Sequence, residues 1–185
     1  MLTDVLETLK LTSNVDDVVV VTRERNAEVL ARTYGAQVIP DDDAGGHSEA
    51  AALGIAWALD EGAFHVLVLA GDVPTVSAAE IDELVRELSD GPEVIVIPDR
   101  HGTGTNALLL TPPDVIAPSF GEGSRARHER LGEEAGATVR LQEIPSFMLD
   151  VDTPEDLDAL SEALDDSPRR TAVYTRDALS RVQRG

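Results

Sequence analysis

Cysteine is missing from all 185 residues. That excludes disulfides, thiolate metal sites and cysteine nucleophiles. Lysine is nearly missing as well: Lys10 stands alone, and the other cations are arginines. Aromatic residues make up only 3% of the chain against 42% hydrophobic residues in all, so a core has to be built from Val, Leu, Ile and Ala. No stretch combines the basic start and apolar run of a signal peptide, and no apolar run reaches membrane-spanning length. The expectation is a cytoplasmic protein with no membrane partner. Positive charge is scarce too. A net charge of −20 argues against nucleic acid, which needs a basic face. An acid-rich, lysine-poor chain suits high salt, where screening weakens self-repulsion, so a salt-loving host is an expectation. Neither a Ser/His/Asp nucleophile signature nor a Gly-x-x-x-x-Gly-Lys-Ser/Thr loop is found, which weighs against hydrolase and P-loop chemistry.

What the chain does have is alternation. Asp17 to Thr22 carries four consecutive valines, a run suited to a strand buried on both faces. Asn26 is expected to cap a helix to about Tyr34, with Gly35 as its stop and Ala36 to Ile39 as the next strand. Ser48 opens an Ala-rich helix ending near Gly62, and Phe64 to Ala70 is the strongest strand. Ser77 and Glu80 have capping-box spacing for the next helix. Strands are expected at Glu93 to Pro98, Ala107 to Leu110 and Thr138 to Ile144, and a helix at Ser124 to Glu134. Thr153 followed by Pro154 opens a last helix. This order predicts an α/β fold with a mostly parallel sheet covered on both faces, binding ligands beyond the strands' C-terminal ends. Residues 1–165 form the expected domain. Residues 166–185, with Arg169, Arg170, Arg176, Arg181 and Arg184, form an arginine-containing tail expected to be mobile or to dock a partner.

Several polar groups fall where such a sheet binds ligands. Asp72 follows the strongest strand in Ala70-Gly71-Asp72-Val73-Pro74 and is a candidate metal ligand, with a turn cap as the structural alternative. Asp150 and Asp152 follow a strand-like Phe147-Met148-Leu149, and residues two apart in an extended segment point the same way. Two converging carboxylates repel unless a cation sits between them, and oxygen-only ligands suit Mg²⁺ or Mn²⁺. Gly102 and Gly104 lie in a loop whose backbone N–H groups could face an anion. A second such loop runs from Phe120 into a helix with Ser124 expected at its N-cap. Arg125 and Arg127 are weighted as surface residues, His47 as a candidate contact, and His65 as a strand residue with a structural partner. The run Asp41-Asp42-Asp43 is read as a solvated turn.

Four motifs in order carry a resemblance: Gly71-Asp72-Val73-Pro74; Asp99-Arg100-x-Gly102-Thr103-x-Thr105-Asn106; Phe120-Gly121-x-x-Ser124-x-x-x-His128; and Asp150-Val151-Asp152-Thr153-Pro154. Over about residues 15 to 160 the chain resembles the 2-phospho-L-lactate / phosphoenolpyruvate guanylyltransferases of coenzyme F420 biosynthesis. The resemblance implies a three-layer αβα, Rossmann-like nucleotidyltransferase fold, shared with molybdenum-cofactor guanylyltransferases. It also implies transfer of GMP from GTP to a phosphorylated three-carbon acid with release of pyrophosphate. On that footing Asp72, Asp150 and Asp152 hold Mg²⁺. Thr105, Asn106, Gly121 and Ser124 bind the acid, and Gly45, Gly46, His47 and Ser48 lie where guanine is bound. Gly46-His47-Ser48 departs from the Gly-Leu-Asn type of many relatives.

Residues 1 to 12 read as an amphipathic helix with Val5, Leu6 and Leu9 inward. A helix ahead of the first strand normally follows a strand of its own, so the sheet is expected to lack its opening βα segment. That segment carries triphosphate-binding basic residues in relatives, and weak or no activity is expected of residues 1–185 alone. A sugar-nucleotide enzyme or glycosyltransferase with an Asp-x-Asp metal pair, and a shortened, inactive binding protein, are the competing readings. The sequence does not choose between phosphoenolpyruvate and 2-phospho-L-lactate, and a homodimer is left open.

Overall fold

The computed structural model describes residues 1–41 and 45–182. In chain order its elements are α1 (Leu2–Leu9), β1 (Val19–Thr22), α2 (Arg25–Thr33), β2 (Gln37–Pro40), α3 (His47–Asp60), β3 (Val66–Leu69), α4 (Ala78–Arg86), β4 (Glu93–Pro98), β5 (Thr105–Thr111), α5 (Ser124–Glu134), β6 (Thr138–Leu141), α6 (Pro154–Asp165) and α7 (Val173–Val182). Asp42 and Asp43 of the charged loop, and Arg184 of the tail, lie outside the described residues.

Period-two alternation in the strands builds two cores. Ile95 and Ile97 of β4, Ala107 and Leu109 of β5 and Leu67 and Leu69 of β3 face α1 and α4 through Val5, Ile81 and Leu84. Val94, Val96, Leu108, Leu110, Val66 and Val68 point the other way, onto Ile55 of α3 and Leu131 of α5. Helices therefore cover both faces, and the α/β, three-layer reading holds. The sheet is less uniform than expected. β3, β5, β4 and β6 form one four-stranded group in that order, and β1 and β2 form a separate parallel pair. Because β5 is antiparallel to both β3 and β4, while β4 and β6 are parallel, three strands of the larger group run one way and β5 runs the other.

The two groups are spanned by helices rather than by hydrogen bonds. On one face α1 places Val5 in the larger core and Leu6 in a smaller one with Ala31, Val18, Val20 and Val38. On the other, α3 rests Ile55 on the larger group and Gly54 against Val19 and Val21 of β1. A cleft of about 1180 Å³ runs between residues 18–22 and residues 64–70 and continues to the loops at the strand ends.

Several local expectations change. Gly35 does end α2, with φ +83°, but the helix starts at Arg25 behind Glu24 rather than at Asn26. Ser77 is the boundary of α4 without a side-chain cap bond, and the Glu80 carboxylate accepts from the Ser146 hydroxyl rather than closing a capping box. The full capping box forms at α6, between Thr153 and Asp156. β6 stops at Leu141, and residues 145–147 form a 3-10 turn, so Phe147 to Leu149 is not a strand. The tail folds back: Asp4, 4% exposed, accepts from the Tyr174 and Thr175 backbone N–H groups at 2.9 Å each and from the Thr175 hydroxyl at 2.7 Å. Those bonds satisfy donors that a helix N-terminus leaves without partners. Among the described residues, no helix is long and apolar enough to cross a membrane.

Candidate active site

Strand direction gathers the polar groups. Asp72 leaves the C-terminal end of β3, and the loop from Asp99 leaves that of β4. The antiparallel β5 begins where its neighbours end, so Thr105 and Asn106 arrive at the same edge: Asn106 O accepts from Ala70 N at 3.0 Å. The cleft at this edge is lined by His47, Asp72, Thr105, Asn106, Gly121, Ser124, Asp150 and Asp152. Gly45, Gly46 and Ser48 lie outside its lining.

Asp72 feels the other two aspartates. Burial pushes the Asp72 carboxyl above the usual carboxylate range, its own backbone hydrogen bond opposes this, and the Asp150 and Asp152 charges push it further up. Among the described residues, no three His, Cys, Asp or Glu side chains cluster tightly enough to enclose a metal ion by themselves. The set nonetheless fits Mg²⁺ or Mn²⁺ chemically. Its donors are all oxygens, and such ions take one or two carboxylates and complete the shell with water and substrate phosphates. Asp150 is held in place by Asn106, whose amide donates to Asp150 Oδ1 at 3.1 Å and to Phe147 O at 2.9 Å. Both amide hydrogens of Asn106 are thus engaged, which makes this buried residue a support for Asp150.

The extended-segment argument for the Asp150–Asp152 pair gives way to a different anchor. Asp156 accepts from Arg100 Nε at 2.7 Å and Nη2 at 2.5 Å. Its other oxygen accepts from the Thr153 N–H and hydroxyl at 2.8 Å each and from the Asp152 N–H at 3.3 Å. The Thr153 hydroxyl first, and then Arg100, hold the Asp156 carboxyl far below the usual range. Arg100 therefore clamps the backbone that carries Asp152. Thr153 was expected to open this helix and does, but the Arg100 contact with Asp156 spans 56 residues and has no local signal.

Both anion loops are partly self-satisfied. The Asp99 carboxylate accepts from Thr103 N at 3.0 Å, and a Cβ at Gly104 would sit 2.6 Å from Asp99 Oδ2. The charge that the glycine loop holds is its own. At α5 the N-cap is Gly123, in the left-handed region, and Ser124 is the first helical residue. Ser124 N donates to Gly121 O and Arg125 N to Thr103 O, so these N–H groups are engaged within the protein rather than offered to an anion. Arg125 donates to Gly102 O. Arg127 donates to the carbonyls of Ser119, Phe120 and Glu122 and to the Ser119 hydroxyl, fixing the loop that holds Gly121. Phe120 N donates to Ser48 Oγ at 2.8 Å, which ties this loop to the first turn of α3. His65 finds its structural partner in Thr111 Oγ1, 2.8 Å away.

Behind the hydroxyls lies His128, fully buried. Its Nδ1 is 3.1 Å from Thr105 Oγ1, and its Nε2 accepts from Ser119 N at 2.8 Å. Burial, with Arg127 adding to it, lowers its pKa to about 4, so the ring is neutral at physiological pH. The ring also packs edge-on against Phe120, with centroids 5.1 Å apart. His128 was visible in the sequence only as the last letter of the third motif.

An αβα fold that collects aspartates and small hydrogen-bonding residues beyond its strand ends has the layout in which open α/β enzymes bind their ligands, and the chain's family makes it a nucleotidyltransferase. Comparison with known proteins makes the assignment specific: a MobA-like NTP transferase domain matches residues 1–137, and the chain belongs to that family. It is similar to a phosphoenolpyruvate guanylyltransferase of Conexibacter woesei, 45% identical over the whole of this chain and 82% of the relative. It is also similar to a 3-phospho-D-glycerate guanylyltransferase of Phenylobacterium zucineum, 35% identical over 88% of this chain and 73% of the relative. The fold matches that of a nucleotidyl transferase from Methanothermobacter thermautotroptrophicus with a TM-score of 0.69 and 20% identity, covering 91% of this chain and 82% of the other.

Proposed function

We propose that this protein transfers GMP from GTP to a phosphorylated three-carbon acid and releases pyrophosphate, in the cytoplasm, as a step of coenzyme F420 biosynthesis. The observation that carries the reading is the meeting of Asp72, Asp150 and Asp152 with Thr105, Gly121 and Ser124 in one cleft, in a chain so similar to guanylyltransferases of such acids. Phosphoenolpyruvate, 2-phospho-L-lactate and 3-phospho-D-glycerate are the acceptors to compare.

An oxygen of the acceptor phosphate attacks the α-phosphorus of GTP in line. The new P–O bond joins GMP to the acid, and the bond between the α-phosphorus and the bridging oxygen breaks to release pyrophosphate. The acceptor phosphate is already ionised, so no side chain has to remove a proton. Thr105, Ser124 and Gly121 orient the acid, and the segment Gly45 to Ser48 that leads into α3 is assigned to guanine, with His47 the one of the four that lines the cleft. Asp72, Asp150 and Asp152 would hold a divalent metal, with Asn106 and the Arg100–Asp156 pair fixing two of them. Mg²⁺ or Mn²⁺ bound there would supply charge neutralisation between two anionic reactants. Positioning and electrostatics supply the rest.

Incubation with GTP, Mg²⁺ and each acid in turn should release pyrophosphate and yield the GMP–acid anhydride. No release with any of the three, from this chain or from one extended upstream of Met1, defeats the reading. Asp152→Ala should abolish turnover while leaving the far-UV spectrum unchanged. Surviving turnover would remove Asp152 from the metal site.

A further inference from the structure

We infer that His128 is a positioning residue that sets the direction of the Thr105–Ser124 hydroxyl pair, so that one hydroxyl hydrogen is left to donate to the anionic acceptor. The inference rests on the reading that Thr105 and Ser124 bind that acceptor.

The argument is a count of hydrogens. A backbone N–H can only donate, so the 2.8 Å contact from Ser119 N makes His128 Nε2 an acceptor without a proton. The neutral ring must then carry its proton on Nδ1, and Nδ1–H donates to Thr105 Oγ1, 3.1 Å away. Ser124 Oγ is also 3.1 Å from Thr105 Oγ1. The two hydroxyls own two hydrogens, and the bond between them uses one. With the imidazole donating, the other hydrogen has no partner inside the triad and is directed outward. The opposite tautomer reverses this. Thr105 would donate to Nδ1, Ser124 would donate to Thr105, and both hydrogens would be consumed internally. The pair would then present only lone pairs to an anion, which repel it.

The surroundings fix the favourable arrangement. His128 is fully buried, and its two ring nitrogens are both engaged by protein groups. Arg127 holds Ser119 through its carbonyl and hydroxyl, at 3.0 Å each, and so aims the N–H that selects the tautomer. A protonated ring would lose the Ser119 bond, because Nε2 would then be a donor facing a donor. Thr105 and Ser124 both open onto the cleft beside Gly121, so a donor released there reaches a carboxylate or phosphate oxygen.

Two measurements test this on the whole chain. Long-range ¹H–¹⁵N NMR of the unliganded protein should show His128 as the neutral Nδ1–H tautomer; an Nε2–H tautomer overturns the inference whatever the protein catalyses. The second compares acceptor and GTP binding in His128→Gln, which keeps an acceptor toward Ser119 and loses the donor to Thr105, and His128→Asn, which keeps a donor near the Nδ1 position. For His128→Gln the acceptor KM and Kd should rise about ten- to a hundred-fold, the effect of one charge-assisted hydrogen bond, with the GTP Kd unchanged. His128→Asn should recover part of that loss, which a merely space-filling role would not produce. Wild-type acceptor affinity in a folded His128→Gln overturns the inference. If the wild-type chain binds none of the three acids, the acceptor reading itself fails and the anion-directed role fails with it, while the tautomer result stands separately. Thr105→Val, which removes the middle hydroxyl, keeps the test decisive if the His128 variants do not fold, and should weaken the acceptor as His128→Gln does; unchanged affinity overturns the inference.

Discussion

The inner strands of the four-stranded group, β4 and β5, and the strand β1 of the separate pair are made of similar residues and differ in how far they are covered. All six residues of β4 and six of the seven of β5 are buried, whereas all four residues of β1 are only partly so. Val19-Val20-Val21 is as apolar as Val94-Ile95-Val96. What separates them is partners: among the described residues, β4 is hydrogen-bonded on both sides, to β5 and β6, while β1 pairs with β2 alone. Apolar sequence therefore licensed burial in both places, and topology granted it fully in one. The site follows the same division. Asp72, Thr105, Asn106, Ser124 and Asp150 all belong to segments attached to the four-stranded group. His47 and Ser48 are carried by α3, the helix that bridges to the looser pair.

The largest expected consequence is in stability. Leu108, fully buried between strands and helices, should cost about 2–5 kcal/mol when replaced by Ala, through lost burial and the cavity left behind. Val20→Ala, on the half-covered strand, should cost about 1 kcal/mol. Urea titrations of the two variants give the comparison directly. Equal losses would mean that β1 is as fully packed as β5.

The same contrast shows how far the sequence was legible. Glu93–Pro98 and Ser124–Glu134 were read with the observed limits, since a dense apolar run between prolines and a helix after Gly123 are local signals. Asp72 stands out because it follows a strand, which the structure bears out at the end of β3, whereas Asp150 and Asp152 stand out on an expected strand that is a 3-10 turn instead. Long-range contacts decided the rest. Ser77 and Glu80 have capping spacing, but Ser146, 66 residues away, engages Glu80. Phe147 looks like a strand residue, but Pro145 starts a 3-10 turn and Asn106 takes the Phe147 carbonyl. Asn106 and Arg100 belong to a motif that suggests direct ligand contact, and both serve to hold an aspartate. Pattern in the chain nominated the residues, and only the packed structure showed which of them are tied to one another across the site.

A sharper form of the comparison uses two helix glycines. A Cβ at Gly132 of α5 would lie 2.6 Å from Val139 Cγ2 and 3.2 Å from Val94 Cγ2, both anchored in the four-stranded group. Gly132→Ala should therefore cost about 1–3 kcal/mol through overpacking, despite the better helix propensity of alanine. Thermal or urea unfolding measures it, and a neutral result would show that α5 can move off the sheet without loss.

Gly54 of α3 should behave in the opposite way. There a Cβ would meet Val21 Cγ2 at 3.5 Å and Val19 Cγ1 at 3.9 Å, ordinary contact distances. With no clash to relieve, the helix-propensity term decides the sign, and Gly54→Ala should stabilise the protein by about 0.5–1 kcal/mol. The added methyl group also covers part of β1, which works in the same direction. If Gly54→Ala instead destabilises the fold, α3 is seated on β1 as tightly as α5 is on β4, and the looseness of the two-stranded pair lies in β2 and its exposed edge rather than in the helix that carries His47.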